Sequence, residues 1–241
     1  MGANAQTAVP AFTAGQVLTA AQQTQINTGI PVFATTVTRD AAFDGTGEKT
    51  LAEGQFAYIE ATNATQYYDG AAWQSVGASS GLTLIKTQTI GTTVSSVEVT
   101  GAFSATYDNY LITVNGGVAS TNNSLVMTLG ATTTGYYYVG STIAYNASPT
   151  FVGEGGVNTS NWGNSIRGSA NSLNGQIYVY DPFAAKNTHF SSIGSRSDTS
   201  GSVNSLGGYL ANTTSYTAFT LTTNSGTVTG GTIRVYGLAN S

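Results

Sequence analysis

The chain has no cysteine, one histidine, four prolines and very little charge: Asp, Glu, Lys and Arg together make up 7% of its 241 residues, against about 25% in an ordinary soluble domain. Without cysteine there is neither a disulfide framework nor a thiolate zinc site. The single histidine, His189 in KNTHFSS, has no cysteine beside it and no G-x-S-x-G serine to activate, so no nucleophile–base pair is legible. A second histidine and a D-x-D-x-D-G loop are both missing, and with them the usual signatures of a metal site. Glycine is abundant, yet neither G-x-G-x-x-G nor P-loop spacing leads into a helix, so no phosphate cradle and no cofactor are expected. No stretch approaches the ~18 consecutive apolar residues of a membrane-spanning helix, and no membrane insertion is expected.

The scarcity of charge also narrows the partners. Net charge is −4, and the seven Lys and Arg are scattered, so no basic stripe exists to neutralise neighbouring phosphates and a nucleic-acid partner is excluded. Residues 1–80 carry all of that net charge, with Arg39 and Lys49 against six carboxylates; residues 81–241 balance five basic against five acidic side chains. A neutral surface does not hold molecules apart, and suits a protein built into an assembly. Glycosidase chemistry requires two carboxylates about 5–10 Å apart; the five in residues 81–241, Glu98, Asp108, Glu154, Asp181 and Asp198, are widely spaced. The expectation is a protein that is not an enzyme, with a polysaccharide depolymerase as the remote alternative. The first residues, MGANAQTAVPAFTAG, have no basic n-region or apolar h-region, so no secretory signal is expected and the site of synthesis is read as a cytoplasm.

What replaces charge is Thr, Ser, Asn and Gly, a composition that disfavours long helices and suits strands joined by tight turns. Residues 1–31 read as an arm with one short helix. Thr19 is its N-cap, Ala20 to Asn27 its body, Gly29 its left-handed C′ residue, and Pro31 forbids continuation. At about two turns this helix is marginal alone and is expected to need a packing partner, such as another copy of the chain. Residues 32–76 read as a small β module with strands near 32–37, 55–60, 65–68 and 72–76. The last two flank YYDGAAW, where Asp69-Gly70 predicts a type I′ hairpin turn with Tyr67 or Tyr68 facing Trp73. Residues 77–81, GASSG, read as a flexible linker.

From residue 82 to 241 short apolar runs alternate with turn signals, as in Thr217-Ala218-Phe219-Thr220-Leu221-Thr222. That is the period-2 pattern of strands with one wet face. Eight to ten strands without an intervening helix predict an antiparallel β-sandwich, with the jelly roll as first choice. Tyrosine is the one residue type in excess, at 14 copies. Tyr136-Tyr137-Tyr138 and Trp162, set among Asn and Ser, are candidates for stacking on the sugar rings of a host-surface glycan. The alternative places alternate tyrosines in the core or at a subunit interface. The sequons at Asn63, Asn122, Asn146, Asn158 and Asn212 are the number such a composition produces by chance, and none is read as glycosylated.

Two stretches resemble a known family. PAFTAGQVLTAAQQTQINTGIPVFATTVTRDAAF followed by EGQFAYIEATNATQYYDGAAWQSVG is similar to the N-terminal module of many tailed-bacteriophage virion proteins. GLTLIKTQTIG, FSATYDNYLITV, TTGYYYVG and GGYLANTTSYTAFTLTTNSGTVTGGTIRVYG resemble the β-sandwich of phage tail-fibre, head-fibre and decoration proteins, those of cyanophages and marine phages above all. The resemblance covers nearly the whole chain and carries no catalytic residue. It implies a virion structural protein, homotrimeric, attached through its N-terminal region to capsid, portal or tail proteins, with the sandwich projecting outward.

Overall fold

A computed structural model describes residues 9, 11–27, 29–45, 48–77, 81–145, 148–198 and 201–239. Ala78, Ser79 and Ser80 of the expected linker, most of the first ten residues and the Asn146 sequon lie outside them. The chain divides into two compact units, Met1–Ser79 and Ser80–Ser241.

In the first unit, helix α1 (Ala20–Asn27) starts at Thr19, whose hydroxyl accepts from the Gln22 N–H while the Gln22 side chain accepts from the Thr19 N–H at 2.9 Å. This reciprocal pair is a capping box. Gly29 has φ +73, the left-handed conformation that ends a helix. The strand expected over 32–37 is corrected: strand β1 covers only Val32–Phe33, and helix α2 (Thr36–Ala41) follows. Four β-branched or small residues in TTVT read as strand, but Thr35 and Thr38 cap each other's backbone N–H and commit the chain to a helical turn. Strands β2 (Phe56–Ile59), β3 (Ala64–Tyr68) and β4 (Trp73–Ser75) complete a four-stranded sheet in the order β1-β2-β3-β4, with β1 parallel to β2. Its core is Phe33, Ala42, Phe43, Ala57 and Ile59, with Trp73 packed against them.

The YYDGAAW hairpin pairs Tyr68 with Trp73, their rings 5.7 Å apart, while Tyr67 lies on the other face beside Phe56. Its loop runs over four residues, 69–72, so the two-residue type I′ turn is also corrected. Asp69 is not in the left-handed region; only Gly70 is, at φ +95. Asp69 acts through its side chain, accepting from the backbone N–H groups of Ala71 and Ala72 at 2.9 and 2.7 Å and from Gln74. These donors hold its carboxyl below the usual aspartate range, the Ala72 N–H most strongly. The Arg39 guanidinium sits 4.5 Å over the Trp73 ring and bonds Asp40 and Gln66, covering the sheet with a cation–π contact.

The second unit contains twelve strands among its described residues, more than the eight to ten expected. Eight make a jelly roll. Strands β5 (Leu82–Thr89), β16 (Val228–Leu238), β7 (Asn109–Ala119) and β12 (Ser172–Tyr180) form one antiparallel sheet in that order. Strands β6 (Ser96–Val99), β15 (Phe219–Thr223), β8 (Asn123–Leu129) and β11 (Trp162–Ser169) form the other. Taken along the chain these eight follow the two-Greek-key path of a jelly roll. The remaining four strands are two insertions. β9 (Tyr136–Ala144) and β10 (Thr150–Thr159) lie between β8 and β11 in sequence, and β13 (Thr188–Arg196) and β14 (Ser202–Leu210) lie between β12 and β15. Together they extend the first sheet past β12 in the order β13-β14-β9-β10. The extension's inner face packs on β11, and one apolar cluster runs from Ile112, Met127 and Phe219 in the jelly roll to Tyr136, Phe190 and Leu206 in the extension.

Candidate functional site

The four aromatic residues singled out as a glycan platform divide by strand alternation. Tyr136, Tyr138 and Trp162 face inward. Trp162 and Tyr136 are 0% exposed, and a ring without accessible surface cannot stack on a sugar. Trp162 stacks on Phe190 at 4.3 Å, meets Tyr136 edge-on at 5.3 Å, and donates its indole N–H to the Tyr209 carbonyl at 3.3 Å. The Tyr136 hydroxyl accepts from the Leu129 N–H at 2.8 Å and donates to the Thr132 carbonyl, and burial raises its pKa to about 12. Tyr138 is half-buried over Gly156 and Gly163, where any Cβ would strike its ring or hydroxyl. Burial, with the nearby Glu154 charge second, raises its pKa as well.

Tyr137 alone faces outward. It belongs to a row across four strands, because Tyr180 pairs with His189, His189 with Tyr209, and Tyr209 with Tyr137. Tyr137 and Tyr209 stack at 5.0 Å with their planes 6° apart, and the His189 ring lies 5.9 Å from Tyr209. His189 is thus an exposed member of a ring ladder, near the Lys186–Asp181 ion pair at 3.0 Å. Among the described residues no three of His, Cys, Asp or Glu come together as a metal site would require, and no helix is long and apolar enough to cross a membrane.

Under the extension lies a buried polar network. Arg167 of β11 bonds Glu154 of β10 at 3.0 Å, Ser124 of β8 at 2.9 Å, and Thr142 of β9. Thr142 and Asn164 donate to the two oxygens of Glu154, and Asn204 donates to the Asn164 carbonyl. Burial lowers the Arg167 pKa, and the Glu154 charge opposes that shift. Gly194 allows β13 this close to β11, since a Cβ there would lie 3.0 Å from the backbone nitrogen of Arg167. This cluster joins five strands, β8, β9, β10, β11 and β14, so its role is to fix how the extension sits on the jelly roll.

The accessible candidate is a groove on the outward face where β7, β12, β13 and the start of β14 meet the residue following β9. Two adjoining cavities of about 450 and 650 Å³ share Tyr145, Asn174 and Ser195. A β-bulge creates the step: Leu173 pairs with Gly117 but Gly175 with Val114, so Asn115 and Gly116 together oppose Asn174. Such a bulge bends the strand and re-aims side chains. The Asn174 carbonyl oxygen accepts from Ser195 at 2.9 Å and that of Asn115 from Arg234 at 3.2 Å, leaving the amide N–H groups as the donors each still carries. Thr113, Gln176 and Ser195 add hydroxyl and amide groups, and Ile193 and Val203 supply an apolar floor. Arg196 and Asp198 stand at one end as an ion pair with 3.4 Å separation. At the rim the Tyr145 side chain is 61% exposed, its backbone N–H tied to the Gly201 carbonyl at 2.6 Å.

Of these groove residues the sequence singled out Asp198 alone, among the widely spaced carboxylates. The groove residues come from four separate strands and one strand end, and the bulge that aligns them has no signature beyond Asn115-Gly116-Gly117. Comparison with protein-family models, with curated proteins and with solved structures finds no match to the chain.

Proposed function

We propose that the chain is a non-enzymatic structural component of a tailed-phage virion, as a tail fibre, head fibre or decoration protein. The first unit fixes it to capsid, portal or tail proteins, and the jelly roll projects outward. The observation that carries this reading is the division of the chain into a small unit holding all the net negative charge and a larger, electrically balanced jelly roll, joined to the resemblance of both stretches to virion proteins. One carboxylate, Asp198, lines the outward groove, whereas glycoside hydrolysis uses two; that favours a structural over a depolymerase role.

A homotrimer is the assembly we propose. The outward face of β9 and β10 bears Val139, Ile143, Phe151 and Val157 as exposed apolar side chains and no Asp, Glu, Lys or Arg. Patches of that kind mark interaction surfaces. Strand β10 is also an unprotected edge: its one charge, Glu154, is turned inward, whereas β5 at the opposite edge of the same sheet carries Lys86. Deleting residues 1–79 is expected to abolish incorporation into particles, read by antibody labelling of intact virions. Full occupancy by the truncated chain would refute the anchor. Light scattering on the whole chain is expected to give three times the monomer mass, and a monomer would refute the trimer.

A further inference from the structure

We infer that the groove between Asn115, Asn174, Gln176 and Tyr145 is a binding site for a neutral saccharide. Its chemistry selects that class by elimination and by fit. An anionic ligand needs unpaired positive charge in the lining, but Arg196 is held by Asp198, and Arg234 at the edge of the groove donates its guanidinium to Asn115. A metal ion needs several carboxylates or imidazoles, and Asp198 is the one lining group of that kind. A wholly apolar ligand would bury the amides of Asn115, Asn174 and Gln176 without partners, at about 1–3 kcal/mol for each group left unsatisfied. A ligand with many neutral hydroxyls meets all of these groups: it donates and accepts, and it brings a C–H face to an aromatic ring.

The geometry supports the same choice. The two cavities, about 450 and 650 Å³, fall within the roughly 300–1,000 Å³ of small-ligand sites, and their shared wall makes a groove rather than a closed hole. A chain of sugar rings can therefore lie along it with both ends in solvent. Tyr145 is the platform: amphipathic, exposed, and fixed at its backbone, with Gly201 against one side of its ring. The floor of Ile193 and Val203 offers apolar surface to a ring's flat side. The polar groups are already oriented by Ser195 and Arg234, so little ordering cost falls on binding. This inference goes beyond the structural role proposed above and stands without it, because it depends on the groove alone.

The test is binding of the full chain to an array of neutral hexose and N-acetylhexosamine oligosaccharides, printed beside sialylated and uronic-acid ones. Binding to members of the neutral set is expected, with at least tenfold loss for Tyr145→Ala and no more than twofold for Tyr145→Phe, which keeps the ring. Gln176→Ala is expected to weaken binding severalfold. Both positions are solvent-exposed, so the variants should melt with the parent, which separates loss of binding from loss of fold. Failure of every neutral oligosaccharide to bind, a preference for acidic ones, or binding unaffected by Tyr145→Ala would each overturn the inference. A chain that enters particles but fails this assay refutes the groove alone; one that binds but never enters particles refutes the virion role alone.

Discussion

Beneath β7, β8 and β15 the sandwich is filled by Ile112, Met127, Leu129, Phe219 and Leu221, whereas beneath β9 and β10 the same space holds Arg167, Glu154, Thr142 and Asn164. The two halves of one interior solve different problems. An apolar core gains stability with every area removed from water, and it does so without regard to direction. A buried ion pair gains little net stability, because desolvation offsets its attraction, but it demands one arrangement of partners. Inserted strands that extend an existing sheet by edge pairing are free to slip in register. Arg167, reaching β8, β9 and β10 together, ties them to one position. The jelly roll is thus held by area, and the extension by area at one end and by specified partners at the other.

The hinge between these regimes is Trp162, buried between Tyr136 and Phe190. The largest expected effect in the molecule is therefore Trp162→Ala, which removes the apolar contact that both halves share. Its cost should be about 3–5 kcal/mol, the range for truncating a large buried aromatic, read as a lowered urea midpoint. A cost near that of an exposed substitution would show that the extension does not share the jelly roll's core. Next comes the ion pair. Arg167→Ala leaves Glu154 buried without its cation and should destabilise by about 3 kcal/mol. The double variant Arg167→Met with Glu154→Leu should recover most of that loss while leaving the extension free to exchange. The measurement is amide hydrogen exchange in β9 and β10 beside the unfolding curve. A double variant as unstable as the single one, or exchange unchanged from the parent, would break the distinction between area and specification.

Much of this fold was legible because period-2 alternation survives in a chain this poor in charge. Thr217 to Thr222 read as a half-buried strand, and β15 (Phe219–Thr223) falls on that run. Helix α1 was legible from Thr19, Gly29 and Pro31, since caps are local chemistry. What escaped was set by contacts that one residue cannot announce. Thr35 and Thr38 look like strand formers until each is seen capping the other. For Tyr136, Tyr137 and Tyr138 alternation was itself legible, and the first and third do turn inward and only the second outward. The groove was invisible because Asn115, Tyr145 and Asn174 come together only after β7 bulges against β12.

The smallest of these effects isolates a single polar group inside the apolar half. Tyr136 is fully buried, but its hydroxyl receives the Leu129 N–H at 2.8 Å and holds the Thr132 carbonyl. Tyr136→Phe keeps the ring and its edge contact with Trp162, so the apolar term should stay nearly constant. What remains is a buried N–H without its acceptor, at about 1–3 kcal/mol. The parent should also show a dependence on alkali that the variant lacks. The phenol's pKa is raised from 10.0 to about 12 because burial disfavours the phenolate. Folding therefore favours the protonated form: its contribution is complete below pH 10 and is lost as pH rises toward 12. Urea titrations at pH 8, 10 and 11.5 should show the parent's advantage over Tyr136→Phe shrinking across that window. An advantage that stays flat from pH 8 to 11.5 would mean that the Tyr136 hydroxyl ionises in place, and that this part of the interior is as polar as the seam around Arg167.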